Sequence, residues 1–207
     1  MTSFYNRHIM PRLLDRGCAY AKIARQRALL VPQAEGVVVE FGIGSGRNLD
    51  FYDPARVRQV IGIDPSPNFV RLGRRRYDRA SVPVALIEGT ASAVALSCGV
   101  ADTVVTTYAL CSIPEVAAAL AEARRVLKPG GRLLFVEHGR APDPAVARRQ
   151  DLLSSLTERF AGGCRLDRNI EQLIWDAGYT FDRLEYHWIS KMPRTISFHY
   201  VGSAQPR

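Results

Sequence analysis

The densest run of chemically suggestive residues is Glu40-Phe41-Gly42-Ile43-Gly44-Ser45-Gly46. Glycines at alternate positions make a tight turn and let a ligand lie against bare backbone where a Cβ would block it. Glu40 stands just ahead of them among apolar residues, a costly place for a carboxylate unless a ligand or the loop pairs with it. The dinucleotide fingerprint G-x-G-x-x-G would need glycine at 47, where the chain has Arg47, so the loop is G-x-G-x-G. Asp64 lies 22 residues after Gly42, a spacing suited to accepting hydrogen bonds from ribose hydroxyls. The stretch Asp64-Pro65-Ser66-Pro67 is equally good helix-capping chemistry. The weight of these residues falls on a nucleoside-binding turn.

Four cysteines stand at 18, 98, 111 and 164, separated by 80, 13 and 53 residues. No C-x-x-C occurs and no Cys–His grouping has zinc-ligand spacing, so no metal is expected and the cysteines read as reduced thiols of a cytoplasmic protein. His138 closes an apolar run, a position from which it can act as a base or orient one. His8, His187 and His199 have no comparable argument. Tyr108 and Cys111 follow another apolar run, and packing explains them as readily as a site does: Tyr108 as pocket lining, Cys111 as a small buried hydrophobe. The linear sequence yields no constellation of nucleophile, base and orienter.

The elements that must position these residues alternate. Short β-branched runs at 37–41, 59–64, 82–88, 102–108 and 132–138 read as strands, with helical spacing at 66–77 and 114–127 between them. Two further helices are predicted at 144–160 and 168–177, then two strands in direct succession near 179–188 and 195–202. Such alternation argues for an α/β fold whose mostly parallel sheet is covered on both faces, ending in an antiparallel hairpin at the sheet edge. Residues 3–30 read as one basic helix, broken or kinked near its start by Pro11. Residues 1–34 are therefore taken as a helical lid and 35–207 as the binding domain, the lid closing over the site.

A chain of 207 residues with 47% hydrophobic and 23% charged residues is that of an ordinary globular domain, which excludes disorder and a disulfide knot. No uninterrupted apolar stretch reaches the ~18 residues of a membrane span, and the N-terminal residues do not read as a secretory signal. The net charge of +8 is concentrated: residues 1–32 carry +5 and residues 71–79 carry +4. Such segments meet an acidic substrate, a nucleic acid or an anionic membrane, or serve as solvated faces that keep the protein soluble. The arginines lack interleaved motif aromatics, so no nucleic acid partner is expected. The N-terminal basic helix fits reversible contact with anionic membrane, giving a cytoplasmic protein that is at most peripheral to one.

In order and spacing, VVVEFGIGSG, VIGIDPSP, IEGTA, ADTVVTTYALCS and RRVLKPGGRLLFVEH resemble the successive motifs of class I S-adenosylmethionine-dependent methyltransferases. IDPSPNF, YALCSI, LKPGG…VEH, GGCRL and FHYVGSA are similar, more narrowly, to the alkyl-thiol methyltransferases. The resemblance implies a Rossmann-like, seven-stranded sheet and S-adenosylmethionine as cofactor. It implies that Glu40 faces the ammonium of the methionine part, that Gly42, Gly44 and Gly46 cradle that part and the ribose, and that Asp64 with Pro65 holds the ribose. Thr90 and Ala91 fall where the family contacts adenine, although relatives often carry an acid at the position of Thr90; Ser92 is the alternative acceptor. Thr107, Tyr108 and Cys111 fall near the methyl and its acceptor, beside His138. The acceptor is expected to be a small molecule, with thiol sulfur preferred: a thiol of pKa ~8.5 is partly ionised at neutral pH and needs little base. Quinone precursors and phospholipid head groups are the next candidates. A non-catalytic nucleoside-binding module and a nicotinamide oxidoreductase are the remaining ones. Methylation of base amines and of pyrimidine carbon is disfavoured, because TTYALC stands where those enzymes carry Pro-Pro-aromatic or Pro-Cys.

Overall fold

The computed structural model describes residues 4–5 and 9–207; Arg7, His8 and parts of the first predicted helix lie outside the described residues. Seven strands form one sheet: β1 (Gly36–Phe41), β2 (Val57–Asp64), β3 (Val84–Glu88), β4 (Ala101–Thr107), β5 (Leu127–His138), β6 (Tyr179–Trp188) and β7 (Phe198–Pro206). Their spatial order is β3-β2-β1-β4-β5-β7-β6. The first five strands pair in parallel, and β7 runs antiparallel to both β5 and β6. The two last strands make the expected hairpin, but β7 inserts between β5 and β6 and leaves β6 at the edge.

Helices cover the sheet: α1 (Met10–Cys18), α2 (Ala21–Leu30), α3 (Pro67–Leu72), α4 (Arg74–Tyr77), α5 (Val116–Val126), α6 (Pro144–Phe160) and α7 (Ile170–Asp176). Two apolar cores result. One packs α5 and α7 against strand residues such as Val39, Val104 and Phe135. The other seats Leu30, Val31 and Ala34 on Val38, Val60 and Val136. The long helix predicted over 3–30 is two helices, because the chain leaves helical geometry at Ala19–Tyr20; Pro11 sits in the first turn of α1, where a missing N–H costs nothing. The stretch 66–77 divides at Gly73 for a packing reason: a Cβ there would stand 2.4 Å from the backbone of Ser45. β5 begins at Leu127 and absorbs the Lys128-Pro129-Gly130-Gly131 segment that sequence reading left before the strand.

Strand order reverses between β1, whose next neighbour in sequence lies on one side, and β4 on the other. In open α/β sheets ligands settle in the crevice at the carboxyl ends of the strands beside such a reversal. Gly42, Asp64, Thr107 and His138 all stand at those ends. Among the described residues no helix is long and apolar enough to cross a membrane.

Candidate active site

The glycine loop leaves β1 with Gly42, Gly44 and Gly46 at φ of +71°, +53° and +71°. These left-handed values favour glycine, and at Gly42 a Cβ would lie 2.7 Å from that of Ala109. Asp64 ends β2 directly beneath the loop. Its Oδ2 accepts from the backbone N–H of Gly44 at 2.8 Å and its Oδ1 from Ser66 at 2.8 Å. The N-cap of α3 is Ser66, so Asp64 orders the turn rather than capping the helix. Burial raises its pKa, against the pull of the two backbone donors. Tyr77 donates to the carbonyl of Gly44 at 2.6 Å and Arg76 to that of Ser45 at 2.9 Å, fixing the outer side of the loop.

Glu40 is buried, and both its oxygens are engaged. Asn48 Nδ2 donates to Oε1 at 3.0 Å and the Tyr52 hydroxyl to Oε2 at 2.6 Å. Burial pushes its pKa up to about 7 despite these donors. Asn48 also bonds the hydroxyl of Thr107 at 3.0 Å, tying the end of β1 to the end of β4. Asn48 and Tyr52 are the partners that the cost of a buried carboxylate foretold without identifying. Of the remaining positions read from sequence, Pro65 and Thr90 are exposed, and Thr90 accepts from Ser92 at 3.2 Å. The side chain of Ala91 faces the apolar core.

Tyr108 adopts a φ of +57°, unfavourable for a non-glycine residue, at the turn out of β4. Its ring lies beneath the guanidinium of Arg27 at 4.8 Å, stacks on His138 at 6.5 Å, and meets His199 edge-on at 5.4 Å. Its hydroxyl is buried without a partner among the described residues. Arg27, on α2, is only 3% exposed; it donates to the Cys18 carbonyl at 2.9 Å, while its Nε has no partner and it forms no ion pair among the described residues. Sequence reading counted it as one basic charge among several; burial is what sets it apart, and nothing in the linear pattern carries that.

The spacing of cysteines and histidines along the chain gave no hint of a cluster; the fold brings one together. Cys111, His138 and Cys164 converge, one ligand atom of each lying within 4.8 Å of the others. Cys164 Sγ is 3.3 Å from His138 Nε2, and Cys111 Sγ is 3.4 Å from the Ser112 hydroxyl. The hydrogen bond from Cys164 and the nearby imidazole hold the Cys111 thiol well below its usual range, against burial. Burial disfavours the His138 cation, but the Cys111 charge outweighs it and raises the pKa. Cys164 is driven the other way by its bond to Cys111. Beside them Glu137 is fully buried, accepting from Thr106 Oγ1 and the Ala109 N–H at 3.0 Å each. His199 also packs against this group, whereas His187 pairs with Glu185 at 3.2 Å on the edge strand.

α1 closes one side. Asp15 accepts from Arg47 Nε at 2.8 Å, from Arg47 Nη2 at 2.6 Å and, more closely still, from the Ser45 hydroxyl. A cleft of about 490 Å³ opens between this helix's end and the loop after β6, lined by Arg16, Tyr20, Lys191 and Met192.

Residues 39–135 match the methyltransferase domain family. Over 182 residues the chain is 32% identical to thiol S-methyltransferase TMT1B of Rattus norvegicus, with 82% of this chain and 70% of that protein aligned. It is 35% identical to the human thiol S-methyltransferase TMT1A, over 75% of this chain and 64% of that one. Among solved structures, an S-adenosylmethionine-dependent methyltransferase of Thermotoga maritima superposes with a TM-score of 0.65 at 21% identity, covering 97% and 99% of the two chains. With the glycine turn, the strand-end acid and the seven-stranded order, these matches define the class: the chain belongs to the class I S-adenosylmethionine-dependent methyltransferases. Within that class it resembles the alkyl-thiol methyltransferases, and its cofactor is S-adenosylmethionine.

Proposed function

We propose that the protein transfers the methyl group of S-adenosylmethionine to the sulfur of a small alkyl thiol. The observation that carries this reading is the Cys111–His138–Cys164 group, in which the loop after α6 brings Cys164 to the ends of β4 and β5. It adjoins the strand ends that hold the cofactor loop, where an acceptor must meet the methyl. The donor is an activated sulfonium, so the protein's task is alignment, exclusion of water and removal of the acceptor's proton.

The chain's own residues divide that task. Asp64 offers two carboxylate oxygens to the ribose hydroxyls, and the bare backbone of Gly42 and Gly44 takes the methionine part. Glu40 faces the ammonium. Arg27, buried and without a carboxylate, supplies the charge that the carboxylate end of the methionine part requires, and its charge already acts on Glu40. Tyr108 and Thr107 line the path of transfer. The cysteine–histidine group receives the acceptor end, and ionisation of the thiol takes place there. Sulfur and imidazole side by side suit the removal of a thiol proton; an aliphatic alcohol needs a far stronger base.

The decisive assay is release of S-adenosylhomocysteine with a small alkyl thiol, run beside its oxygen analogue. Turnover with the thiol alone is expected. Equal turnover of the alcohol, or none with any thiol while the cofactor binds, overturns the reading and moves the search to quinone precursors and lipid head groups.

A further inference from the structure

Two thiols and an imidazole from three separate segments meet: Cys111 from the turn after β4, His138 from the end of β5, and Cys164 from the loop after α6. The chain goes to some length to bring them together. Gly163, at φ +85°, stands where a Cβ would lie 3.0 Å from the Ser112 carbonyl, so the loop carrying Cys164 presses against the turn carrying Cys111. Arg165 N–H donates to the Cys111 carbonyl at 2.9 Å, and Arg168 donates to the carbonyl of Ile113 at 2.7 Å and, more closely, to that of Leu110. The ring of His138 is held by stacking on Tyr108 and by His199.

Three such donors within 4.8 Å are close to a tetrahedral metal's demand. Zinc bonds of ~2.3 Å to sulfur and ~2.0–2.1 Å to nitrogen place donor atoms about 3.6–3.8 Å apart. The Cys164–His138 separation of 3.3 Å needs only a small outward shift to meet that. A disulfide needs two sulfurs and has no use for the imidazole. Two sulfurs and one nitrogen are the soft, mixed donor set that selects zinc over oxygen-seeking cations, and three protein ligands leave one position open.

We propose that Cys111, His138 and Cys164 bind a zinc ion whose open fourth position takes the acceptor thiol. This deepens the thiol-methylation reading and rests on it. A coordinating thiol is deprotonated outright, so the acceptor S–H loses its proton to solvent as the zinc–sulfur bond forms. The sulfur lone pair then attacks the methyl carbon. A new carbon–sulfur bond forms as the methyl–sulfonium bond breaks, its electron pair staying on S-adenosylhomocysteine, and the neutral thioether leaves the metal.

The test is direct titration of the metal-free, full chain with Zn²⁺ against a chromophoric chelator, with Co²⁺ as a spectroscopic stand-in. One equivalent is expected to bind, with a thiolate-to-cobalt charge-transfer band. Cys164→Ser should weaken binding by more than the ~10–100-fold that loss of an outer-shell partner costs, and Cys111→Ser should do likewise. Cys98→Ser, at an exposed cysteine, should change nothing. S-adenosylhomocysteine binding by each variant reports whether it has folded, and Cys164→Ser, on a partly exposed loop, keeps the test valid if Cys111→Ser does not fold. Affinity no better than that of the Cys111→Ser/Cys164→Ser double variant, or a cobalt spectrum without thiolate character, overturns the site. Thiol turnover by metal-free protein at the rate of the zinc-loaded form overturns the proposed role of the metal and leaves thiol methylation standing. Zinc bound at the three residues with no thiol turned over upholds the site and removes the thiol reading instead.

Discussion

Arg27 is an uncommon arrangement at the scale of one residue: a guanidinium withdrawn from water, over a tyrosine ring, with an unpartnered Nε and no carboxylate against it among the described residues. Leaving a charge buried and unpaired is destabilising, so a well-packed apolar replacement of similar length is tolerated or better by the fold alone. Arg27→Met is therefore expected to keep or raise the melting temperature while weakening S-adenosylhomocysteine binding about 10–100-fold, the worth of a hydrogen bond to a charged group at ~1.5–3 kcal/mol. Calorimetry with 5′-methylthioadenosine, which lacks the amino-acid portion, is the control. If both ligands weaken together, or neither does, Arg27 does not meet the carboxylate. Tyr108 belongs to the same scale: a left-handed tyrosine between Arg27 and His138 is held there by its neighbours at a local cost on the order of 1–3 kcal/mol.

At the scale of elements, α1 and α2 do different work. The end of α2 is anchored by Leu30, which is buried with the next residue, Val31, in the sheet's apolar layer. α1 is held to the glycine loop chiefly through Asp15, where Arg47 and Ser45 keep the carboxyl below its usual range although burial opposes them. A movable cover would thus pivot at Ala19–Tyr20, between the two helices. Asp15→Ala is expected to speed dissociation of S-adenosylhomocysteine about tenfold in stopped-flow experiments, the effect of one partly buried charge-assisted contact. An unchanged off-rate would mean that α1 is a fixed wall. The elements themselves were largely legible in the sequence, since glycine punctuation and β-branched runs act locally. The positions of the glycine loop after β1 and of Asp64 at the end of β2 were legible for the same reason, each being marked locally at a strand end. Cys164 was not. It approaches Cys111 across 53 residues through packing of a Gly162-Gly163 turn on the turn after β4, and spacing along the chain encodes nothing of that. Nor did helical periodicity reveal the breaks at Ala19–Tyr20 and Gly73, which tertiary contacts impose.

For the whole molecule, two sets of carboxylates pull stability in opposite directions with pH. Asp15, Asp102 and Asp167 have pKa values lowered in the folded state, each paired with a basic side chain; their contribution is present above the unfolded value near 4 and is lost as pH falls. Glu40 is shifted the other way, from 4.5 to about 7. The folded protein then binds more protons than the unfolded chain between those values, so stability declines as pH rises through that window. Burial also raises Glu137 to about 8, which adds to that decline, and lowers His199 to about 4, which opposes it. The share of Glu40, on the order of 2–3 kcal/mol, is therefore read as the difference between the melting temperatures of the native protein and of Glu40→Gln. Without cofactor the variant is expected to lose less stability between pH 5 and 7, and S-adenosylhomocysteine, through its ammonium, should restore stability to the native protein there. Native and Glu40→Gln profiles that run parallel from pH 5 to 8 would refute this. The strand order has a further consequence, which concerns biosynthesis. The strand that closes the gap beside β5 is β7, whereas β6 leaves the ribosome first. During translation the parallel half is able to assemble while one hydrogen-bonding edge of β5 stays open. A nascent chain stalled before Phe198 carries that edge as a template for neighbouring chains. A seam through the middle of the sheet is thus sewn only after the edge strand beside it has been made, and the emergence of β7 separates a committed fold from an aggregation-prone one.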